Sequence, residues 1–262
     1  MLPYLHIFGQ SIPMYGLCMA IGILLSAWFA CLRLRKEHTD VNALLIICAC
    51  ALGFGLFGAK LLYLVICVGL SRSIEAFING DFRALLEGGQ VFYGGLIFGL
   101  LGAFFGAKLA NVDIQPYCTA ITPCIPLAHS FGRIGCFFAG CCYGFAYDGI
   151  LCTSFPAAGI YQNVFPVQLM EACCNFILFA ALTKYTRKPR PKYRVMYVYL
   201  ISYAVIRFLL EFARGDLVRG SAGGLSTSQW ISIVLFFLSG ILLLLQRPLS
   251  TMAASHAGPP RS

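Results

Sequence analysis

The sequence predicts an all-α integral membrane protein, a bundle of seven transmembrane helices with its N-terminus outside and its C-terminus cytoplasmic. Three observations carry this. Only 11% of the 262 residues are charged and 59% are hydrophobic, with a mean hydropathy of +0.80. A soluble domain carries about 25% charged residues. Seven apolar runs are long enough for a bilayer, which takes roughly 20 helical residues to cross. The basic residues, finally, alternate between loops, six of the 19 Lys and Arg falling between Lys184 and Arg194.

The runs lie near 13–32, 43–69, 90–110, 117–138, 166–183, 194–212 and 227–246. The start, "MLPYLHIFGQSIPMYGLCMA", has no positive n-region and no small-residue cleavage site after its apolar run, so it does not read as a cleaved signal peptide. In the second run Ala51, Gly55 and Ala59, and in the third Gly95, Gly99, Gly102 and Gly106, form small-residue faces that let helices approach closely. Pro123 and Pro126 are expected to kink the fourth run. Residues 1–246 read as one helical domain, and 247–262 as a disordered cytoplasmic tail. No internal repeat is visible, which disfavours a transporter built from repeated halves.

Loop charge sets orientation. Loop 33–42 and the strongly basic 184–194 belong in the cytoplasm; 70–89, 139–165 and 213–226 belong outside. The net charge of +9 is therefore that of membrane loops, not of a nucleic-acid groove. In this frame Tyr15, Lys60, Tyr93, Arg133, Gln168, Glu171, Arg207, Glu211, Arg214 and Gln229 all fall in the outer half of the bundle. A charge at mid-bilayer costs about 2.5–3.5 kcal/mol, so such groups pair or line a wet cavity. Arg207 and Glu211, four apart, are expected to pair. Arg133 has no obvious local partner, and a surplus guanidinium fork suits an anionic ligand such as a phosphate. His129, one turn before Arg133, reads by itself as a packing residue.

Most of the thirteen cysteines lie in apolar runs, where they behave as small hydrophobes. Cys136, Cys141 and Cys142, close together at the end of the fourth run, are the set open to metal binding or redox activity, but no Cys and His set has good zinc spacing, and neither metal nor cofactor is expected.

"HSFGRIGCFFAGCCYG" (129–144) resembles the signature of the bacterial prolipoprotein diacylglyceryl transferases, roughly H-S-x-G-R-x-G-N-F-x-N-x-E-x-x-G. "MYGL", "GAKLLY", "FYGGLIFG", "FPVQLMEA", "RFLLEFARGD" and "LSTSQWISI" resemble further segments of that family in the correct order, between residues 14 and 233. The resemblance implies a monomeric multi-pass enzyme of the bacterial plasma membrane with its site toward the outer face. It would move a diacylglyceryl group from phosphatidylglycerol to the lipobox cysteine of a prolipoprotein and release glycerol phosphate. It assigns Arg207, Glu211, Tyr93 and Tyr15 to catalysis, and Arg133, Gly94, Gly95, His129 and Gln168 to substrate binding. Departures stand at Tyr93 and Phe165, where the pattern has histidine, at Cys136 and Ala139, where it has asparagine, and at Cys141, where it has glutamate. These keep open a related transferase with another donor or acceptor lipid, and a non-enzymatic lipid-binding protein.

Overall fold

The computed structural model describes residues 3–7, 10–69, 78–79, 92–215 and 221–246. The expected C-terminal tail, 247–262, lies outside them. Among the described residues eight α-helices carry the fold: α1 (Met14–Lys36), α2 (Val41–Tyr63), α3 (Phe92–Leu109), α4 (Ile114–Ile121), α5 (Cys124–Ala139), α6 (Val167–Tyr185), α7 (Arg194–Glu211) and α8 (Thr227–Leu244). A helix stands at each of the seven expected positions. Among the described residues four stretches are long and apolar enough to cross a bilayer: Met14–Lys36, Val41–Ile66, Val167–Tyr185 and Thr227–Leu244. Gly94–Leu109 is apolar but shorter.

Two expectations need correction. The fourth run is not one kinked helix but two, α4 and α5, because Pro123 has no N–H to continue the ladder. Nor is the chain purely helical. Three hairpins join or precede helices: β1–β2 (Tyr4–Ile7, Gln10–Pro13), β3–β4 (Thr153–Phe155, Ile160–Val164) and β5–β6 (Ser221–Ala222, Leu225–Ser226). Each is too short to show alternation against an apolar background.

The chain divides into two compact units, Leu34–Tyr117 and Met1–Arg33 with Cys118–Ser262. In the first, α2 packs on α3 through backbone. A Cβ on Gly102 would sit 2.5 Å from the Cys50 carbonyl oxygen, and one on Gly106 2.8 Å from Ile47 Cα. A Cβ on Gly94 would strike the Gly58 carbonyl. Gly95 and Gly99 have ordinary room, so the tight seam runs through Gly94, Gly102 and Gly106 rather than evenly along the expected face. Lipid offers no hydrophobic drive between helices, so close backbone approach must hold the pair. Gly102→Ala is expected to destabilise it by about 1–3 kcal/mol, the usual cost of overpacking. Gly53→Ala, with nothing within 4 Å, is the control. Thermal unfolding in detergent checks both.

In the other unit, α1 lies on α5. Gly22 admits the Phe131 side chain, and Ser26 Oγ donates to the Cys124 carbonyl at 2.9 Å. The α6–α7 pair closes over Leu178, Leu182, Val195 and Tyr199. Polarity is arranged for an apolar solvent. Leu24, Trp28, Leu52, Phe57, Leu100 and Phe104 are exposed, while Gln168, Glu171, Asn175, Arg207 and Gln229 are buried. Such an exposed apolar surface is expected of a chain that meets lipid.

Candidate functional site

The site of the larger unit is built where α5 ends, α6 begins and α7 ends. Tyr143–Tyr147 runs as an extended strap between two neighbours. Gly144 N–H donates to the Phe165 carbonyl at 2.9 Å, and Tyr147 N–H to the Asn163 carbonyl at 3.0 Å. On the other side Gly215 N–H donates to the Tyr143 carbonyl at 3.3 Å, and Gly144 bridges to Arg214. A Cβ on Gly144 would lie 2.6 Å from the Ala213 carbonyl and 2.7 Å from that of Phe165, so this crossing needs glycine. The strap thus fixes Arg214 beside the end of α5. Phe165 stacks on Phe145 at 5.8 Å and meets Tyr147 edge-on at 5.4 Å. The position where the resembled pattern has histidine is here an aromatic packing site.

Arg133 is not partnerless. Its Nη2 lies 3.0 Å from Glu171 Oε1, and its Nε donates to His129 Nε2 at 3.3 Å. The sequence alone assigned it no partner because Glu171 sits on another helix, α6. The Glu171 side chain is 1% exposed and that of Arg133 15%. The fork is therefore anchored at its inner side and reachable at its outer side. His129, also 3.5 Å from Glu171, belongs to this cluster rather than to packing alone. Because its Nε2 accepts from Arg133, that lone pair is engaged.

The second pair is as the sequence predicts. Arg207 Nη2 lies 2.7 Å from Glu211 Oε2 and also donates to Ser228 Oγ at 3.0 Å. Its Nη1 is buried with no hydrogen-bond partner among the described residues. Ser228 is held by the start of α8, where Ser226 and Gln229 form a capping box. Gln168 donates from Nε2 to the Cys141 carbonyl at 2.8 Å, while its buried Oε1 is unpartnered among the described residues.

Tyr203 was missed by the sequence reading. It lies in the field of Glu171, Arg133, Arg207 and Arg214, and its ring is 5.4 Å from that of His129. The available signal was the spacing of four through Tyr199, Tyr203, Arg207 and Glu211, one face of α7. Among the described residues the Arg133–Glu171 and Arg207–Glu211 pairs lie near Tyr203, with Arg214 close by.

Tyr15 joins this region from the start of α1. Its backbone approaches Gly135, whose Cβ would lie 3.2 Å from Tyr15 Cα, and its hydroxyl senses Cys136, Cys141 and Arg133. Tyr93, Gly94 and Gly95 stand on α3 in the other unit. Gly94 and Gly95 serve the seam with α2, and the Tyr93 side chain lies outside the described residues. Lys60, also of that unit, holds its ammonium 5.0 Å over the Tyr63 ring.

The helix α5 stops at Gly140, in left-handed conformation at φ +72°. Cys142 follows at φ +62°, costly for a residue with a Cβ. This turn brings the thiols of Cys136, Cys141 and Cys142 within 4.8 Å of one another. The Cys136 and Cys141 thiols, and then the Arg214 guanidinium, hold the Cys142 thiol below its ordinary range.

The sequence matches that of a known family over nearly its whole length. A sequence model described as prolipoprotein diacylglyceryl transferase matches residues 3–245. The chain belongs to the prolipoprotein diacylglyceryl transferase family. Its relatives include the phosphatidylglycerol–prolipoprotein diacylglyceryl transferase of Clostridium tetani, 34% identical over 87% of this chain and 90% of that one. A protein of Clostridium perfringens carrying the same name with the suffix 2 is 33% identical, over 91% and 92%. The correspondingly named protein of Cupriavidus metallidurans is 30% identical, over 91% and 90%.

Proposed function

We propose that this chain transfers the diacylglyceryl group of phosphatidylglycerol to the lipobox cysteine thiol of prolipoproteins, releasing glycerol phosphate. The observation that carries the reading is the partly exposed Arg133 fork anchored on the buried Glu171, in a chain of this family. A phosphate ester leaving group gains charge as its carbon–oxygen bond breaks, and preoriented cations stabilise that charge. Arg133 presents its outer side to the phosphate, and Arg207 offers Nη1. Glu171 and Glu211 orient the two forks, His129 steadies Arg133, and Gln168 and Tyr15 border the acceptor side. Gly94 and Gly95 act on the substrate only indirectly, by seating α3 on α2. Tyr93 acts in substrate positioning by hydrogen bonding. Tyr93→Phe is expected to raise the KM for lipid more than it lowers kcat. A pH-rate profile that lost an ionisation in this variant would assign it proton transfer instead.

The reading includes a monomer spanning the bacterial plasma membrane seven times, N-terminus outside, tail in the cytoplasm and site toward the outer leaflet. Loop charge supports that orientation, and no nucleic acid partner is involved. The test is direct. Purified protein is mixed with phosphatidylglycerol and a lipobox peptide, and the peptide mass is read. A diacylglyceryl adduct on the peptide cysteine, absent with a Cys→Ser peptide, is the expected result. Its absence, with folded protein and an active relative in parallel, rejects the reading.

A further inference from the structure

The Cys136–Cys141–Cys142 cluster enters no step above, and one step lacks an agent. The acceptor thiol must lose its proton, and free cysteine with a pKa near 8.5 is mostly protonated at pH 7. Within the described site Glu171 is paired with Arg133 and Glu211 with Arg207. His129 Nε2 already accepts from Arg133. None of these is placed as an open base.

The three thiols have the form of a metal site with one position open. Their sulfurs lie within 4.8 Å of one another. Zinc–sulfur bonds of about 2.3 Å in tetrahedral array put sulfurs ~3.8 Å apart, so closure needs shifts of about an ångström. The donor set is all sulfur, which selects soft or borderline cations over magnesium or calcium. Three protein ligands and a vacant fourth position are the pattern of zinc sites that act on a substrate. Cys141 is exposed and the other two are half-buried, so the cluster faces outward on one side. Two cations flank it. Arg214 is beside Cys142, and Arg133 is one turn before Cys136 on α5. They offset the net negative charge of three thiolates around a divalent ion.

We propose that Cys136, Cys141 and Cys142 bind one zinc ion whose fourth position takes the acceptor cysteine thiol of the prolipoprotein. The inference rests on the transferase reading. A thiol coordinated to zinc is deprotonated outright, its proton passing to water. The bound sulfur remains nucleophilic because a sulfur-rich site leaves negative charge on it. Its electron pair forms the carbon–sulfur bond to the glyceryl carbon, the carbon–oxygen bond to phosphate breaks, and glycerol phosphate leaves with that pair. No oxidant or reductant is needed. The neutral thioether binds zinc weakly and is released.

The test uses the full chain and zinc or cobalt alone as probe. Elemental analysis of protein purified under reducing conditions should give about one zinc per chain. Cobalt in its place should give thiolate-to-cobalt charge-transfer absorption and tetrahedral d–d bands, both lost in the Cys136→Ser, Cys141→Ser, Cys142→Ser triple variant. A lipobox peptide should shift the d–d bands, and its Cys→Ser form should not. Absence of zinc with no cobalt–thiolate band in wild-type protein overturns the proposal, and needs no variant to fold. So does copper(I) in place of zinc, a disulfide among the three thiols, or equal metal in the triple variant. A metal spectrum indifferent to the cysteine peptide overturns the acceptor role. Chelation should lower transfer at least ~100-fold, with recovery on adding zinc. Full transfer by metal-free protein defeats this inference and leaves the transferase reading standing. Failure of transfer with zinc bound and the peptide shift present defeats the reading instead.

Discussion

Arg133→Ala is expected to lower diacylglyceryl transfer by about 10²–10³-fold, the usual loss when one oriented donor to a developing anion is removed. The single variant is ambiguous, because Glu171 would be left buried and alone. Stranding a buried carboxylate costs about 3–5 kcal/mol. The informative comparison is Arg133→Ala with Glu171→Gln. The neutral amide removes the stranded charge, so the double variant should recover most of the stability lost by Arg133→Ala and none of the activity. Recovery of transfer in the double variant would make Arg133 only a structural partner of Glu171. Arg133→Lys separates charge from shape. A lysine has one nitrogen to serve Glu171, His129 and a phosphate, where the guanidinium serves them from different edges. Its activity is expected between wild type and alanine, with the loss chiefly in kcat.

What the sequence made legible divides along a physical line. Contacts within one helix were readable, as the spacing of Arg207 and Glu211 shows, whereas a kink was expected at Pro123 and the chain there ends one helix and starts another. The geometry of such contacts follows from helix periodicity alone. Contacts between helices were not. Glu171 is 38 residues from Arg133 and on another element, and no periodicity links them. The helical boundaries followed apolar runs, but α7 combines Tyr199, Tyr203, Arg207 and Glu211 and is not among the four stretches apolar enough to cross by composition. The thiol cluster was legible only as three cysteines near one another in sequence, and not as converging sulfurs. Its spacing matches no zinc pattern, and the sulfurs converge only because the chain turns left-handed at both Gly140 and Cys142. A glycine at position 140 announces such a turn, whereas a cysteine at 142 does not. The hairpins are short and their neighbours apolar, so alternation could not mark them.

The second large effect is expected at Arg207, where charge is kept and shape is lost. Arg207→Lys should lower transfer about 10²-fold, as removal of an oriented donor does. The reason lies in the directions the fork faces at once. Nη2 reaches Glu211 at 2.7 Å and Ser228 at 3.0 Å, while buried Nη1 has no hydrogen-bond partner among the described residues. An ammonium at the end of a flexible stem satisfies Glu211 first, since that carboxylate is only 9% exposed. Little then remains for the phosphate, so the loss should fall on kcat and persist at saturating lipid. Ser228→Ala is the graded companion. It removes one neutral hydrogen bond, worth about 0.5–1.5 kcal/mol, and should loosen the fork by no more than roughly tenfold in rate. Equal, small effects of Arg207→Lys and Ser228→Ala would reduce Arg207 to a fastening between α7 and α8. A large effect of the lysine variant, with the thermal midpoint nearly unchanged, would place its guanidinium on the reacting phosphate.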